Sequence, residues 1–273
     1  MTKEQFAEGL AYAEENFRDD HAPHLHVDKK LIKSKFDLTG KKILDFGCGM
    51  GGMSLWYATN WNCEVVGLDI DVHHVQIANT LKEKYKVDNA TFVQKNILDR
   101  PFTEKFDMIF LNDVAEHIQF DILQPIMIEL RNVLATHGQI FVTYPPWKSP
   151  YASHVSHVTK IPWCQFLPDS VLIPMIEKNN RVIVGDLEGD LVEAYKGLNH
   201  LTHQRLMPII QKAGLKPIYR KSHSVVNRFG GPLKNINLRV PPFNFLVTKE
   251  FLLLEHIDKS AVSSASRQMT ERV

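Results

Sequence analysis

Two rhythms of apolar residues run through the middle of this chain. Short apolar runs bounded by polar or glycine-containing turns alternate with longer stretches whose apolar positions recur every three or four residues. The first pattern reads as buried strand and the second as amphipathic helix. Strands are predicted near 41–46, 63–69, 90–94, 106–112 and 138–144, and helices near 52–60, 72–86 and 119–136. Such alternation predicts an α/β fold with a mostly parallel, doubly wound sheet and right-handed crossovers. His137-Gly138 is expected to close the helix over 119–136, since glycine accepts the left-handed conformation just past a helix end. Ahead of this core, residues 3–20 place Phe6, Leu10, Ala13 and Phe17 on one helical side, as a cover over the core or as packing alone. Behind it, Leu201–Leu215 reads as a last helix, with Pro208 implying a kink or a late start. Strands near 215–226 and 242–251 would close the sheet as an antiparallel hairpin. The organisation expected is a helical cover over 1–40, a core over 41–144, an insertion over 145–200, completion of the sheet over 201–258 and a Ser-rich, disordered tail over 259–273.

The chemistry concentrates at strand ends. Ile43-Leu44-Asp45-Phe46 opens into Gly47-Cys48-Gly49-Met50-Gly51-Gly52, and helix formers follow at once. Glycines let such a loop turn tightly and approach a ligand, and the free N–H groups of the helix start face it. Two spacings are complete here. Gly47-x-Gly49-x-x-Gly52 satisfies the dinucleotide fingerprint. Asp45-x-Gly47-x-Gly49-x-Gly51 includes an acid where a dinucleotide strand is usually apolar, and an acid suits a cationic ligand. Cys63–Ile70 is a second strand ending in Asp69, about two dozen residues after Asp45, near the spacing at which a carboxylate reaches ribose hydroxyls. Thr91–Ile97 gives a third strand with Asn96 at its exit. Phe106–Val114 gives the fourth, followed by Ala115-Glu116-His117-Ile118.

These four matches, in order, resemble class I S-adenosylmethionine (SAM) methyltransferases, in particular small-molecule enzymes similar to those of quinone biosynthesis. The resemblance is clearest from Lys41 to Thr143. It implies the Rossmann-like methyltransferase fold, a doubly wound sheet of seven mostly parallel strands, here with a lid inserted after the fifth. It implies SAM as cofactor, with Asp45, Gly47, Cys48, Gly49 and Gly51 in the loop and Asp69 on the ribose. Ile70 would pack on adenine, Asn96 and Ile97 would meet its edge, and Asn112 and Asp113 would stand at the fourth strand's end. Asn96 departs from the family, which usually has a carboxylate there. Asp69 could instead cap the helix that follows, and Glu116 could complement a helix dipole. Cys48 reads as a small turn residue.

Composition then narrows the setting. The 273 residues carry a formal charge of +1, which argues against the broad basic face of a nucleic-acid binder. Cys48, Cys63 and Cys164 are odd in number and scattered, suggesting neither a disulfide framework nor a zinc motif. No signal core follows the charged start and no run reaches the length of a membrane span, so the expected location is cytoplasmic. No metal is assigned, either to the histidines between His21 and His26 or to His154 and His157, which lack an evident third ligand.

SAM presents an electrophilic methyl carbon, so positioning the acceptor is most of the task. A hydroxyl or acidic carbon also needs a base, and His117 is the first candidate because it follows the strand facing the methyl. His154 and His157 come next, sharing a face if their segment is helical. Glu116 could orient His117, stabilise a cation or act as base. Tyr144, Tyr151 and Tyr195 are lesser candidates for substrate hydrogen bonds. The 145–200 insertion is rich in proline and aromatics (Trp147, Tyr151, Trp163, Phe166) and is expected to overhang the ligand end of the sheet as a lid with aromatic walls. The same aromatics could make a homodimer arm. Tyr144-Pro145-Pro146-Trp147 imitates the motif of adenine-modifying enzymes but follows the fifth strand, not the fourth. The leading expectation is methyl transfer to a small apolar or ring-bearing molecule, on oxygen by default and on carbon as a variant. Transfer to RNA or protein, and SAM binding without catalysis, are the alternatives.

Overall fold

The computed structural model describes residues 1–22, 25–178, 191–229, 238 and 243–257. The tail expected over 259–273, and His24 of the histidine-rich run, lie outside the described residues. Seven strands form one sheet in the order β3-β2-β1-β4-β5-β7-β6, with β1 Lys42–Phe46, β2 Glu64–Asp69, β3 Ala90–Gln94, β4 Phe106–Asn112, β5 Leu134–Tyr144, β6 Leu215–Ser224 and β7 Val247–His256. The first five are parallel, while β7 runs antiparallel to both β5 and β6. This is the expected Rossmann-like methyltransferase architecture.

The core follows from the period of two along each strand. Ile43, Val65, Met108, Phe110, Phe141, Phe251 and Leu253 enter one apolar cluster. Their neighbours Leu44, Val66, Ile109, Leu111, Val142, Leu252 and Leu254 enter the other. Both faces are therefore covered, which is why the strands read as continuous apolar runs. On the first face lie α1 Lys3–Arg18, α2 His26–Lys35, α3 Gly52–Trp61 and α4 Val72–Tyr85; α5 Phe120–Val133 and α9 His203–Lys212 lie on the second. A capping box between Thr2 and Gln5 starts α1, which packs on α3 and α4.

Three boundaries differ from the sequence expectation. The helix over 119–136 stops at Val133, because β5 already begins at Leu134, paired with Phe106. Gly138 is thus no helix cap. It sits at a register shift of β5, where a Cβ would come within 2.9 Å of the Phe106 carbonyl oxygen. The last strand runs Val247–His256 instead of 242–251, since Phe243–Leu246 form a 3-10 turn and the apolar run Phe251–Leu254 pairs with β5 and β6. β6 ends at Ser224, whose N–H and hydroxyl both bond Asn227 Oδ1. Pro208 lies inside α9, which starts late, at the Thr202 cap.

The described parts of 145–200 have a small core of their own. They comprise α6 Ser156–Thr159, α7 Asp169–Lys178 and α8 Leu191–Gly197, and Val155, Cys164, Leu172, Ile176, Leu191 and Tyr195 pack together beneath them. Trp147 stacks on His200 at 3.9 Å and on Tyr195 at 6.4 Å, and Trp163 leans on Phe245. Trp147 and Tyr195 thus help to hold the segment together, whereas Phe166 is exposed.

Candidate active site

The loop after β1 decides between the two glycine spacings. Gly47, Gly49 and Gly51 have φ of 69°, 52° and 79°, the left-handed region that favours glycine. Gly51 also has no room for a side chain, since a Cβ there would lie 2.7 Å from Ala78 and Phe92 atoms. Gly52, needed only by the dinucleotide spacing, is the first residue of α3, and a Cβ on it would meet the Ala13 carbonyl oxygen of α1 at 2.6 Å. Its smallness serves packing between helices. The Asp45-x-Gly47-x-Gly49-x-Gly51 spacing is the one the backbone uses.

Parallel register brings the ends of β1, β2 and β4 side by side, at the point where the strand order reverses. A cavity of about 560 Å³ opens there. Asp45, Gly47, Cys48, Gly49, Asn112, Asp113, His117, His154 and His157 line it, so most of the residues singled out from the sequence converge. Gly51 stands behind it as the cap of α3. Asp69, at the end of β2, accepts the Gly49 N–H at 2.8 Å and the Asp71 N–H at 2.9 Å, and His74 lies 3.6 Å away. The cap of α4 is Asp71, bonded to the His73 and His74 N–H groups, which leaves Asp69 for the loop. Ile70 next to it is 71% exposed, an apolar surface at the cavity end of the sheet. Asn96 spends its side-chain oxygen on the Leu98 N–H, and Ile97 is buried in the second core; neither lines the cavity.

The two strand-end acids are driven apart electrostatically. Burial raises Asp45 to about 7, with Asp69 adding to the rise and the Ser54 hydroxyl, 2.6 Å away, opposing it. Burial also works to raise Asp69, but its bonds from His74, Asp71 and Gly49 outweigh this and hold it below the ordinary carboxylate value. Asp69 is therefore an anion ready for hydroxyl donors, whereas Asp45 gains its charge near neutrality. Burial and both acids push the Cys48 thiol well up, so it stays protonated and inert. A left-handed loop, two carboxylates and an exposed Ile70 fit the amino-acid, ribose and adenine parts of SAM.

Around the acceptor side stand Glu116 and His117 on a 3-10 turn, Ala115–His117. Asn199 holds that turn: its side-chain amide donates to the Ala115 and Ile118 carbonyls and its N–H to the Glu116 carbonyl. Glu116 is 3% exposed and lies in the single turn of that 3-10 helix. The His117 and His154 rings meet edge to face at 4.8 Å, and His154 Nε2 lies 3.8 Å from Glu116 Oε1. Burial pushes Glu116 well up, helped by Asp113. It pulls His154 down to about 4, helped by His117 and His157. Burial thus disfavours the charged form of both Glu116 and His154. His154 precedes α6 and has φ 57°, so it does not share a helix face with His157, although both line the cavity.

Several participants escaped the sequence reading. Tyr12, Ala13 and Asn16 of α1 and Leu25 also wall the cavity. A second cavity of about 220 Å³ shares Asp113 and His154 with the first and adds Asp28, Tyr151, His223 and Lys249. Lys249 Nζ bridges Asp113 at 2.6 Å and Asp28 at 2.7 Å. Burial opposes its charge, but the two carboxylates overcome this and raise its pKa. Of the candidate tyrosines, Tyr151 lines the second cavity, while Tyr144 is buried in the sheet and Tyr195 belongs to the 145–200 core.

Comparison with known proteins agrees with this geometry. A family model described as "Methyltransferase domain" matches residues 37–214. Sterol 24-C-methyltransferase of Debaryomyces hansenii is 29% identical over 136 residues, covering 49% of this chain and 34% of that protein. The chloroplastic tocopherol O-methyltransferase of Arabidopsis thaliana is 26% identical over 140 residues, covering 45% and 40%. The chain thus matches only about a third of the length of such curated relatives. A geranyl diphosphate methyltransferase solved in complex with SAM superposes with a TM-score of 0.57 at 14% identity, covering 90% of each chain, a likeness of fold. With its glycine loop, strand-end acids and sheet order, the chain belongs to the methyltransferase-domain family, of class I and with S-adenosylmethionine as cofactor.

Proposed function

We propose that this protein transfers the methyl group of SAM to a small molecule held between the two cavities. The observation that carries the reading is that Asp113 and His154 wall both of them. The loop cavity takes the cofactor, and the smaller cavity takes the acceptor. Bound SAM supplies an electrophilic methyl carbon. The chain's own residues bind, orient and manage a proton. Asp45 and Asp69 hold the cofactor's two polar ends, and α1 excludes water from above. The acceptor atom lies against Glu116, His117 and His154, with His157 on the same cavity wall. His117 is the first candidate for the group that takes the acceptor's proton. The lid role of 145–200 rests on His154, His157 and Leu191, which reach the cavity from it.

Oxygen is the favoured acceptor atom, because imidazoles crowd the junction and His154 is neutral there. Carbon is the second reading, supported by Glu116. The relatives named above include one enzyme acting at carbon 24 of a sterol and one acting on an oxygen of tocopherol. The test is turnover of small hydroxylated and unsaturated acceptors with methyl-labelled SAM, in the wild type, His117→Ala and Glu116→Gln. Base-assisted transfer to oxygen predicts a fall of about 10²–10⁴ for His117→Ala. Transfer to carbon predicts that Glu116→Gln is the more damaging change. Unchanged turnover in both overturns the assignment.

A further inference from the structure

Glu116, His117 and His154 each offer one donor atom, and the three atoms lie within 4.8 Å of one another. We propose that they form a binding site for a divalent transition-metal ion, of the Zn²⁺ or Fe²⁺ type, at the junction of the two cavities. Two imidazoles and one carboxylate suit such ions, whereas Mg²⁺ and Ca²⁺ prefer oxygen donors throughout. Donors on a tetrahedral ion stand roughly 3.4 Å apart, given bonds of about 2.0–2.1 Å. The Glu116–His154 pair is at 3.8 Å, and His117 lies on the exposed side of the cluster.

A further observation points to a ligand here. Both carboxylate oxygens of Glu116 are buried without a hydrogen-bond partner. A carboxyl group so placed carries a desolvation cost that a bound cation would offset. His154 occupies the left-handed region at φ 57°, a conformation that costs energy in a residue with a side chain and that here turns its ring toward Glu116. The framework is also fixed in advance, with Asn199 clamping the turn that carries Glu116 and His117. The sequence offered the histidines between His21 and His26 and the pair His154 and His157; the fold gives His154 different partners, from the turn after β4. Coordination positions on the cavity side would receive an oxygen of the acceptor. His157, outside the cluster, would then be the imidazole left to take its proton.

The inference rests on the acceptor reading for its role but not for its existence, so the experiment separates the two. Untagged protein is stripped with chelator and titrated by calorimetry with Zn²⁺ and with Co²⁺, whose visible spectrum reports imidazole coordination. One equivalent is expected to bind, and Glu116→Gln, His154→Ala and His117→Ala are each expected to weaken it by at least about tenfold. His137→Ala, an exposed histidine far from the site, is expected to leave it unchanged. Affinity for S-adenosylhomocysteine, measured alongside, reports that each variant is folded; His117→Ala, at an exposed side chain, serves if a buried substitution fails this check. Absence of stoichiometric binding, or binding indifferent to all three substitutions, overturns the metal site. In that case a loss of turnover in His117→Ala would still uphold the simple base, so the two readings fail separately.

Discussion

Asp45 shows how one side chain can tie cofactor affinity to pH. Its carboxyl titrates near 7 in the fold, against 3.8 for an ordinary aspartate. The folded state therefore holds the proton more tightly, and Asp45's contribution to stability is largest at low pH and declines as pH rises from about 4 to about 7. A ligand ammonium, such as that of the cofactor's amino-acid end, reverses the preference by favouring the ionised form. Affinity for S-adenosylhomocysteine is accordingly expected to rise with pH up to about 7, by at most about tenfold per unit, and then to level off. Calorimetry across pH 5.5–8.5 checks this, with Asp45→Asn expected to flatten the profile. Asp69 differs, being held in its charged form by the loop and His74. Asp69→Asn is expected to weaken binding by about 10–100-fold at every pH, the equivalent of one or two charge-assisted bonds. Both acids were legible in the sequence because each ends an apolar run at a diagnostic spacing. Lys249, Asp28 and Asn199 were not, because nothing local distinguishes a lysine on a strand or an asparagine in a loop from a solvated one. Only the fold brings them to the site.

At the scale of elements, the loop after β1 is where sequence and structure agree most closely, and Gly51 and Gly49 separate two reasons for it. Gly51→Ala must place a Cβ in a left-handed residue and against Ala78 and Phe92, and is expected to cost about 2 kcal/mol or more. Gly49→Ala has the same conformational cost, about 1–2 kcal/mol, but meets no atom within 4 Å. Its methyl group is expected to damage cofactor affinity more than folding. Urea denaturation and calorimetry on the two variants resolve the difference. Helices and parallel strands were readable because burial on both faces leaves long apolar runs. Boundaries were misread where tertiary pairing overrode a local signal. Gly138 looked like a helix cap but serves a close approach to β4, and of the aromatics in 145–200 Trp147 stacks on Tyr195 while Tyr151 lines the second cavity.

Across the whole molecule, one buried ion cluster joins three parts of the chain. Lys249 on β7 binds Asp28 on α2 and Asp113 after β4, so the N-terminal cover, the last strand and the cofactor end of the sheet are fastened at one point. Removing the lysine leaves the buried Asp28 carboxylate uncompensated. Lys249→Met is expected to cost about 3–5 kcal/mol and to lower Tm on the order of 10 °C, as read by calorimetric melting. Among the described residues no helix is long and apolar enough to cross a membrane. The doubly wound, mostly parallel sheet could be anticipated from the alternation of elements, but its strand order came from the fold. The substrate side could not, because the described parts of 145–200 pack on a small core of their own, and a side chain they bring to the cavity such as Leu191 carries no local signal of it.

The most direct test of the account is parallel calorimetric titration of the purified protein with S-adenosylhomocysteine and with NADH. The account predicts one equivalent of S-adenosylhomocysteine bound at micromolar affinity, weakened in Asp69→Asn, and no binding of NADH. Binding of NADH alone would contradict it, because the loop would then be using the dinucleotide spacing that ends at Gly52.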